Sequence, residues 1–266
     1  QLMYQVFYSL AKTPFSKENN GFFASRSFSE AAARLEYLKK SRGIGLLVAE
    51  PGAGKTFALK SFADNLNPAL YKAVYFPLST GTVMDFYRGL VKGLGEEPRF
   101  RKVDLFGQLQ QRVLSLYKDK RITPVFIMDE MHLAPAKMLT DLGLLFNFMM
   151  DSLNPFVLVL SGLPFLIQRL GTSHSQPLNQ RIIMRYVMEP LEKEEIKKYI
   201  EHNLKDAGAR VPLFSEEALE AVSSLSHGWP RVINNLCVNC LLLGAQAKKE
   251  LIDAEIVRLA AQETGM

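Results

Sequence analysis

Hydrophobic patterning divides the chain into three regions. Residues 44–190 alternate short, wholly apolar runs with longer stretches whose apolar positions recur at helical spacing. The runs predict strands near 44–49, 73–78, 124–129, 156–161 and 183–188. The stretches between them predict helices near 55–66, 82–94, 104–118, 135–151 and 164–170. A strand that is apolar at every position is buried on both faces, and regular strand–helix alternation builds a parallel sheet covered by helices. The expected class is therefore α/β, with a five-stranded parallel sheet flanked by helices. Residues 191–266 show no convincing strand, and helical spacing over 192–207, 215–226, 230–247 and 253–263 predicts a small C-terminal bundle. There Ser215, followed by Glu216 and Glu217, has the form of an N-cap with an acidic first turn. Residues 1–43 carry the aromatics Tyr4, Phe7, Tyr8, Phe15, Phe22 and Phe23 and an amphipathic helix over 29–40, expected to pack on the core. The chain has no internal repeat or low-complexity tract.

The first strand runs into Ala49-Glu50-Pro51-Gly52-Ala53-Gly54-Lys55-Thr56, and Phe57 continues into a helix. Strand, glycine loop, Gly-Lys-Thr and helix form a phosphate-binding loop. Its backbone N–H groups curl around phosphates, and the helix N-terminus adds a favourable dipole. Glu50, Pro51, Gly52, Ala53, Gly54, Lys55, Thr56 and Phe57 are the expected nucleotide contacts. Lys55 is expected on the β- and γ-phosphates, and the Thr56 hydroxyl on Mg²⁺. Ala49 replaces the first glycine of the usual pattern but still permits the turn.

A second motif, Val125-Phe126-Ile127-Met128-Asp129-Glu130, ends an apolar strand in two carboxylates. Asp129 is expected to hold Mg²⁺ through water, and Glu130 to polarise the water that attacks the γ-phosphate. Ser161 ends the next apolar run, either positioning that water or capping the turn before Gly162. Arg181, just before the last predicted strand, suits a finger reaching into a neighbouring subunit's site; Arg185 and Arg169 compete for that role. Gly228-Trp229-Pro230-Arg231 opens a helix, and Arg231 projects from its first turn, where an arginine can reach phosphate.

Charge adds a candidate surface. Residues 1–190 carry a net charge of +8 and residues 191–266 one of −3. Residues 88–121 hold nine Lys and Arg against four acids, and Arg88, Lys92, Arg99, Arg101 and Lys102 are candidate contacts to a nucleic-acid backbone. Cys237 and Cys240 have redox or metal-ligand spacing, but they sit in an apolar run and no second pair exists, so buried, inert thiols are expected. Two cysteines, no signal-type start at Gln1-Leu2-Met3-Tyr4 and no membrane-length apolar run suit a cytoplasmic protein without a membrane partner.

The opening Phe7-Tyr8-Ser9-Leu10-Ala11-Lys12-Thr13-Pro14-Phe15 and Phe22-Phe23-Ala24-Ser25 resemble the N-terminus of ExeA/TniB-type AAA+ ATPases. The resemblance continues through the phosphate loop, Met128-Asp129-Glu130, Gln180-Arg181-Ile182, Glu189-Pro190-Leu191 and Gly228-Trp229-Pro230-Arg231-Val232-Ile233-Asn234, and so spans essentially the whole chain. That group includes TnsC-type and Mu B-type transposition regulators and secretion ATPases of the ExeA type. The resemblance implies an N-terminal segment (1–43), an AAA+ core (44–190) and a helical lid (191–266). It implies ATP and Mg²⁺ at Lys55 and Thr56, Glu130 as catalytic glutamate, Arg181 as finger and Arg231 as sensor. It also implies a homo-oligomer, ring or helical filament, wound on double-stranded DNA. Two features depart from the pattern. Leu163 stands where related chains often carry Gln, and His132 makes an Asp-Glu-Met-His box of helicase appearance in a chain without a tandem helicase domain.

Three functions compete at this point. The favoured one is a transposition regulator that assembles with ATP on target DNA and recruits a transposase, possibly with a further transposition protein. The second is an ExeA-type secretion ATPase. The third is a DNA-binding scaffold with little turnover, against which Glu130 argues.

Overall fold

In the computed structural model, residues 3–16, 23–78 and 82–265 are described. Phe22, and the first two residues and the last of the expected domains, lie outside them. The chain forms two compact units: residues 1–29, 51–54 and 189–266, and residues 30–50 and 55–188. The expected 1–43 segment is thus divided between the two.

The second unit holds five parallel strands: β1 (Gly43–Val48), β2 (Tyr71–Pro77), β3 (Thr123–Asp129), β4 (Val157–Gly162) and β5 (Ile182–Val187). Their spatial order is β2-β3-β4-β1-β5. The central strands β1 and β4 are buried at every residue, as their unbroken apolar runs require. β4 lies between the other two strands that carry motifs, with Met128 level with Leu160 and Val48 level with Gly162. The C-terminal ends of β3, β4 and β1 therefore form one rim, the place where open parallel sheets bind ligands.

Helices α2 (Arg26–Ser41), α3 (Lys55–Asp64), α4 (Val83–Gly93), α5 (Lys102–Lys118), α6 (Ala136–Leu145), α7 (Phe165–Leu170) and α8 (Gln176–Gln180) connect the strands, with α2 entering β1 from the N-terminal side. The end of α2 packs on β1 because position 45 is glycine: a Cβ there would lie 2.4 Å from Leu38 Cδ2. α4 starts where Thr82 and Asp85 form a reciprocal capping box.

One expected helix is shorter than its pattern. The 135–151 stretch ends as a helix at Leu145. Met149, Met150 and Asp151 all have positive φ, which a right-handed helix does not accommodate. Helical spacing persisted in the sequence because Phe146 and Phe148 are buried for another reason. They pack against Phe156 under the sheet, and Phe146 also meets Phe126.

In the first unit, α1 (Met3–Phe7) packs with α9 (Lys193–Asp206), α10 (Glu216–Ser226), α11 (Pro230–Gln246) and α12 (Ala254–Glu263) around a separate core. Tyr4, Tyr8, Leu10 and Phe15 belong to that core, which accounts for the aromatic start of the chain. Ser215 caps α10 by accepting from the Ala218 N–H at 3.1 Å, and Asp253 caps α12. Cys237 and Cys240 are fully buried in α11. Burial pushes both thiols up, Cys240 to about 12, so both rest as protonated, buried thiols near neutral pH.

Candidate active site

β1 delivers the phosphate loop and α3 begins at Lys55. Gly52 and Gly54 have φ of +88° and +94°, which only glycine adopts without strain. A Cβ on Gly54 would meet nothing within 4 Å, so the loop opens onto free space at that point, as a phosphate cradle must. Gly52 is tight instead. Its Cβ would fall 2.5 Å from Arg231 Cβ, and the Arg231 N–H donates to the Gly52 carbonyl at 3.2 Å. Arg231 itself is exposed, and Pro230 fills the first helical position before it. Helix α11 therefore starts on the loop's own backbone. Thr56 and Phe57 are exposed in the first turn of α3, and Glu50 is exposed at the end of β1.

Lys55 is buried and donates to Asp129, and its Nζ also lies 3.2 Å from Glu130 Oε1. Asp129 is 2% exposed. It accepts from the Glu130 N–H at 2.8 Å and from the Tyr75 hydroxyl at 3.4 Å. Burial, and then the charge of Asp129, pushes the Tyr75 phenol above its usual value, so it stays protonated and serves as a donor. The buried Lys55 cation offsets the buried charge of Asp129, while the second carboxylate, Glu130, is partly exposed to solvent.

Ser161 sits on β4 between Asp129's strand and the phosphate loop's strand. Its hydroxyl is fully buried and has no hydrogen-bond partner among the described residues. It is not a cap. An orphaned buried hydroxyl costs about 1–3 kcal/mol, and it fits a site that takes a polar guest. Within the second unit, the buried lysine, the paired carboxylates and this hydroxyl suit a polyphosphate with its Mg²⁺. Thr56 and Asp129 supply the oxygens that hard cation prefers. Among the described residues there is no cluster of three or more His, Cys, Asp or Glu side chains to hold another metal.

Other expected site residues are engaged elsewhere. Arg181 donates to the Gly143 carbonyl at 2.7 Å and pairs with Asp151 at 3.1 Å, both in its own unit. Arg185 donates to the carbonyl and side chain of Asn179. Arg169 donates to the His132 carbonyl at 2.6 Å. In the basic stretch, Lys102 pairs with Asp141 and lies over the Tyr87 ring, so its ammonium is already partnered at the start of α5, and Arg88 approaches Asp85 at 3.8 Å. Lys92, Arg99 and Arg101 are exposed. Phe100, between the two arginines, is 90% exposed. Gln108 pins this segment by accepting from the Arg99 N–H and donating to the Glu97 carbonyl.

Tyr75 joins the site without a motif to announce it. Period-two alternation in β2 puts Tyr75 on a definite face, but its contact with Asp129 depends on β2 being the neighbour of β3.

The AAA domain family profile matches residues 38–170, half of the chain and most of the sheet described above. The chain belongs to the AAA domain family. This AAA protein is an ATPase, and its phosphate loop and carboxylate strand both fall inside the matched segment. It is 29% identical to the General secretion pathway protein A of Aeromonas hydrophila over 99% of its own length. It spans only 49% of that relative. Among solved structures, Cdc6p from Pyrobaculum aerophilum superposes with a TM-score of 0.70 at 17% identity, over 94% of this chain and 70% of the other. The Aeropyrum pernix ORC1 protein in complex with DNA gives 0.65 at 15% identity, over 91% and 66%. At these identities the likeness is one of fold. No helix among the described residues is long and apolar enough to cross a membrane.

Proposed function

We propose that this AAA ATPase binds duplex DNA without sequence preference in its ATP state, assembles there as a homo-oligomer, and recruits a transposase. The observation that carries the DNA part is the pinned segment Arg99-Phe100-Arg101, with Lys92 also exposed nearby in sequence. Arginines and a lysine supply phosphate contacts, and an exposed aromatic between them can stack on or wedge against bases. The solved ORC1–DNA complex of the same fold supports the reading. The transposase partner rests on the resemblance to TnsC-type and Mu B-type regulators. A second reading, a secretion-associated ATPase, is favoured by the 29% identity to General secretion pathway protein A across nearly the whole chain.

In the proposed chemistry, Lys55 leaves the carboxylates for the β- and γ-phosphate oxygens. Thr56 and Asp129 would hold Mg²⁺, which would supply charge neutralisation when bound. Glu130 accepts the proton of the attacking water, and Ser161 orients that water. Arg231 reads the loop from the start of α11, and Glu50, Pro51, Ala53 and Phe57 frame the nucleotide.

Binding to duplex DNA is expected to require ATP or a slowly hydrolysed analogue and to weaken steeply with salt. Fluorescence anisotropy of Arg99→Gln and Arg101→Gln across a salt series tests the surface. Removing one arginine–phosphate pairing should flatten the slope of log affinity against log salt by roughly one. Unchanged affinity and slope in both variants would move the DNA surface elsewhere. Lys102→Gln should act through α5, changing the melting temperature more than the slope. Binding that ignores nucleotide, or no duplex binding at all, would favour the secretion reading.

Arg181 remains our candidate for the finger in trans. In that role it must exchange Gly143 and Asp151 for a neighbour's nucleotide. Mixing Arg181→Ala subunits, which keep a pocket, with Lys55→Ala subunits, which keep the arginine, should restore activity that neither has alone. Asp151→Asn separates the roles, because it removes the resting partner and leaves the arginine. An Asp151→Asn protein as inactive as Arg181→Ala, together with no rescue on mixing, would make Arg181 structural.

A further inference from the structure

We propose that His132 is a positioning residue for Glu130, coupling its carboxylate to the turn that leaves β4. The inference rests on the reading of Glu130 as the general base. Glu130 is the first residue beyond β3 and holds a left-handed φ of 59°. One carboxylate oxygen, Oε1, is 3.2 Å from Lys55 Nζ. The other, Oε2, is 3.6 Å from His132 Nδ1. That same Nδ1 accepts a hydrogen bond from the Leu163 N–H at 3.3 Å. A ring nitrogen that accepts carries no proton, so the imidazole proton sits on Nε2. His132 therefore turns a lone pair towards Glu130. It does not hold the carboxylate, and the carboxylate stays with Lys55.

The ring is confined in this place. A Cβ on residue 162 would lie 3.0 Å from the His132 backbone nitrogen and 3.1 Å from Nδ1, so glycine is what lets the ring approach the turn. Arg169, on α7, fixes the His132 carbonyl at 2.6 Å. Nδ1 is thus one site sought by two groups. The Leu163 amide needs an acceptor there, and Glu130 needs a donor. The tautomer protonated on Nδ1 donates to Glu130 and cannot accept from Leu163. Withdrawal of the Leu163 amide, by a shift of the 162–165 turn or of α7, frees Nδ1 for Glu130. The coupling runs through the backbone of residue 163, so it does not depend on the leucine side chain found there.

ATP turnover without DNA tests this in His132→Ala, His132→Leu and His132→Asn. Asn can both accept from Leu163 and donate to Glu130, whereas Leu fills part of the ring's space with no polar atom. Ala and Leu are expected to lower kcat by about tenfold or more with KM for ATP within about twofold, while Asn stays within about threefold of wild type. Should Ala fail to fold, Leu against Asn gives the same contrast. Wild-type kcat in Ala or Leu overturns the proposal. So does equal loss in Leu and Asn, or a rise in KM that matches the loss of rate. Glu130→Gln separates the two readings: if it turns over normally, the general-base assignment fails on its own account. In the double variant Glu130→Gln/His132→Leu, no further loss is expected, because His132 acts through Glu130. A further loss of the full single-variant size also overturns the proposal.

Discussion

Lys55→Ala is expected to abolish tight ATP binding while leaving the sheet intact. Lys55 is the side-chain cation at the start of α3, beside the open face of the loop at Gly54. Each charge-assisted hydrogen bond contributes roughly 1.5–3 kcal/mol. Two of them to phosphate oxygens correspond to roughly 10²–10⁴ in affinity. Isothermal titration with an ATP analogue reads the loss directly. The resting partner matters for the control, since removing Lys55 leaves Asp129 buried without its cation, with Tyr75 and the Glu130 N–H as remaining donors. Some loss of thermal stability is therefore expected alongside the loss of affinity. Circular dichroism must show a folded variant before the affinity is read. A folded variant with wild-type affinity would remove Lys55 from the phosphate site.

Glu130→Gln should give the opposite profile, with binding kept and turnover stalled. An amide cannot take the water's proton, and a general base contributes typically 10²–10⁴ in rate. The substitution keeps an oxygen for Lys55, so the resting geometry survives. Single-turnover hydrolysis is the measurement, because it excludes product release. If oligomers on DNA then persist with ATP, hydrolysis is the disassembly step of the proposed cycle. Wild-type single-turnover rates would take Glu130 out of the chemistry.

The strands that carry the site were legible in the sequence for a physical reason. β1, β3 and β4 are buried on both faces, so their apolar runs end abruptly at Glu50, Asp129 and Ser161. The phosphate loop was legible because its glycines and lysine are close in sequence. What could not be read depends on which strands are neighbours. Chain order places β4 after β3, but nothing local says that β4 inserts between β3 and β1. Without the pairing of β2 with β3 the Tyr75 contact is invisible, and without that of β3 with β4 so is the His132 bond to Leu163. Arg181 shows the same limit, since its position before β5 is local and its partners Gly143 and Asp151 are tertiary. The 146–151 stretch misled in another way. Burial of Phe146 and Phe148 imitates a helical face, and only the backbone reveals the turn.

Because Lys55 pairs with both Asp129 and Glu130 at rest, nucleotide loading on the proposed reading is an exchange of counter-ions. When the lysine moves to phosphate, two carboxylates lose their cation, one of them almost wholly buried. On the proposed reading, Asp129 would hold a divalent ion, whose charge would restore the balance. Triphosphate and metal should therefore bind with positive linkage: each raises the affinity for the other by the same factor. Nucleotide offered with a chelator would have to leave a buried charge uncompensated. On that reading, a preference for the metal complex over the free nucleotide is expected to originate in the protein's own resting ion pair, before any ligand has entered.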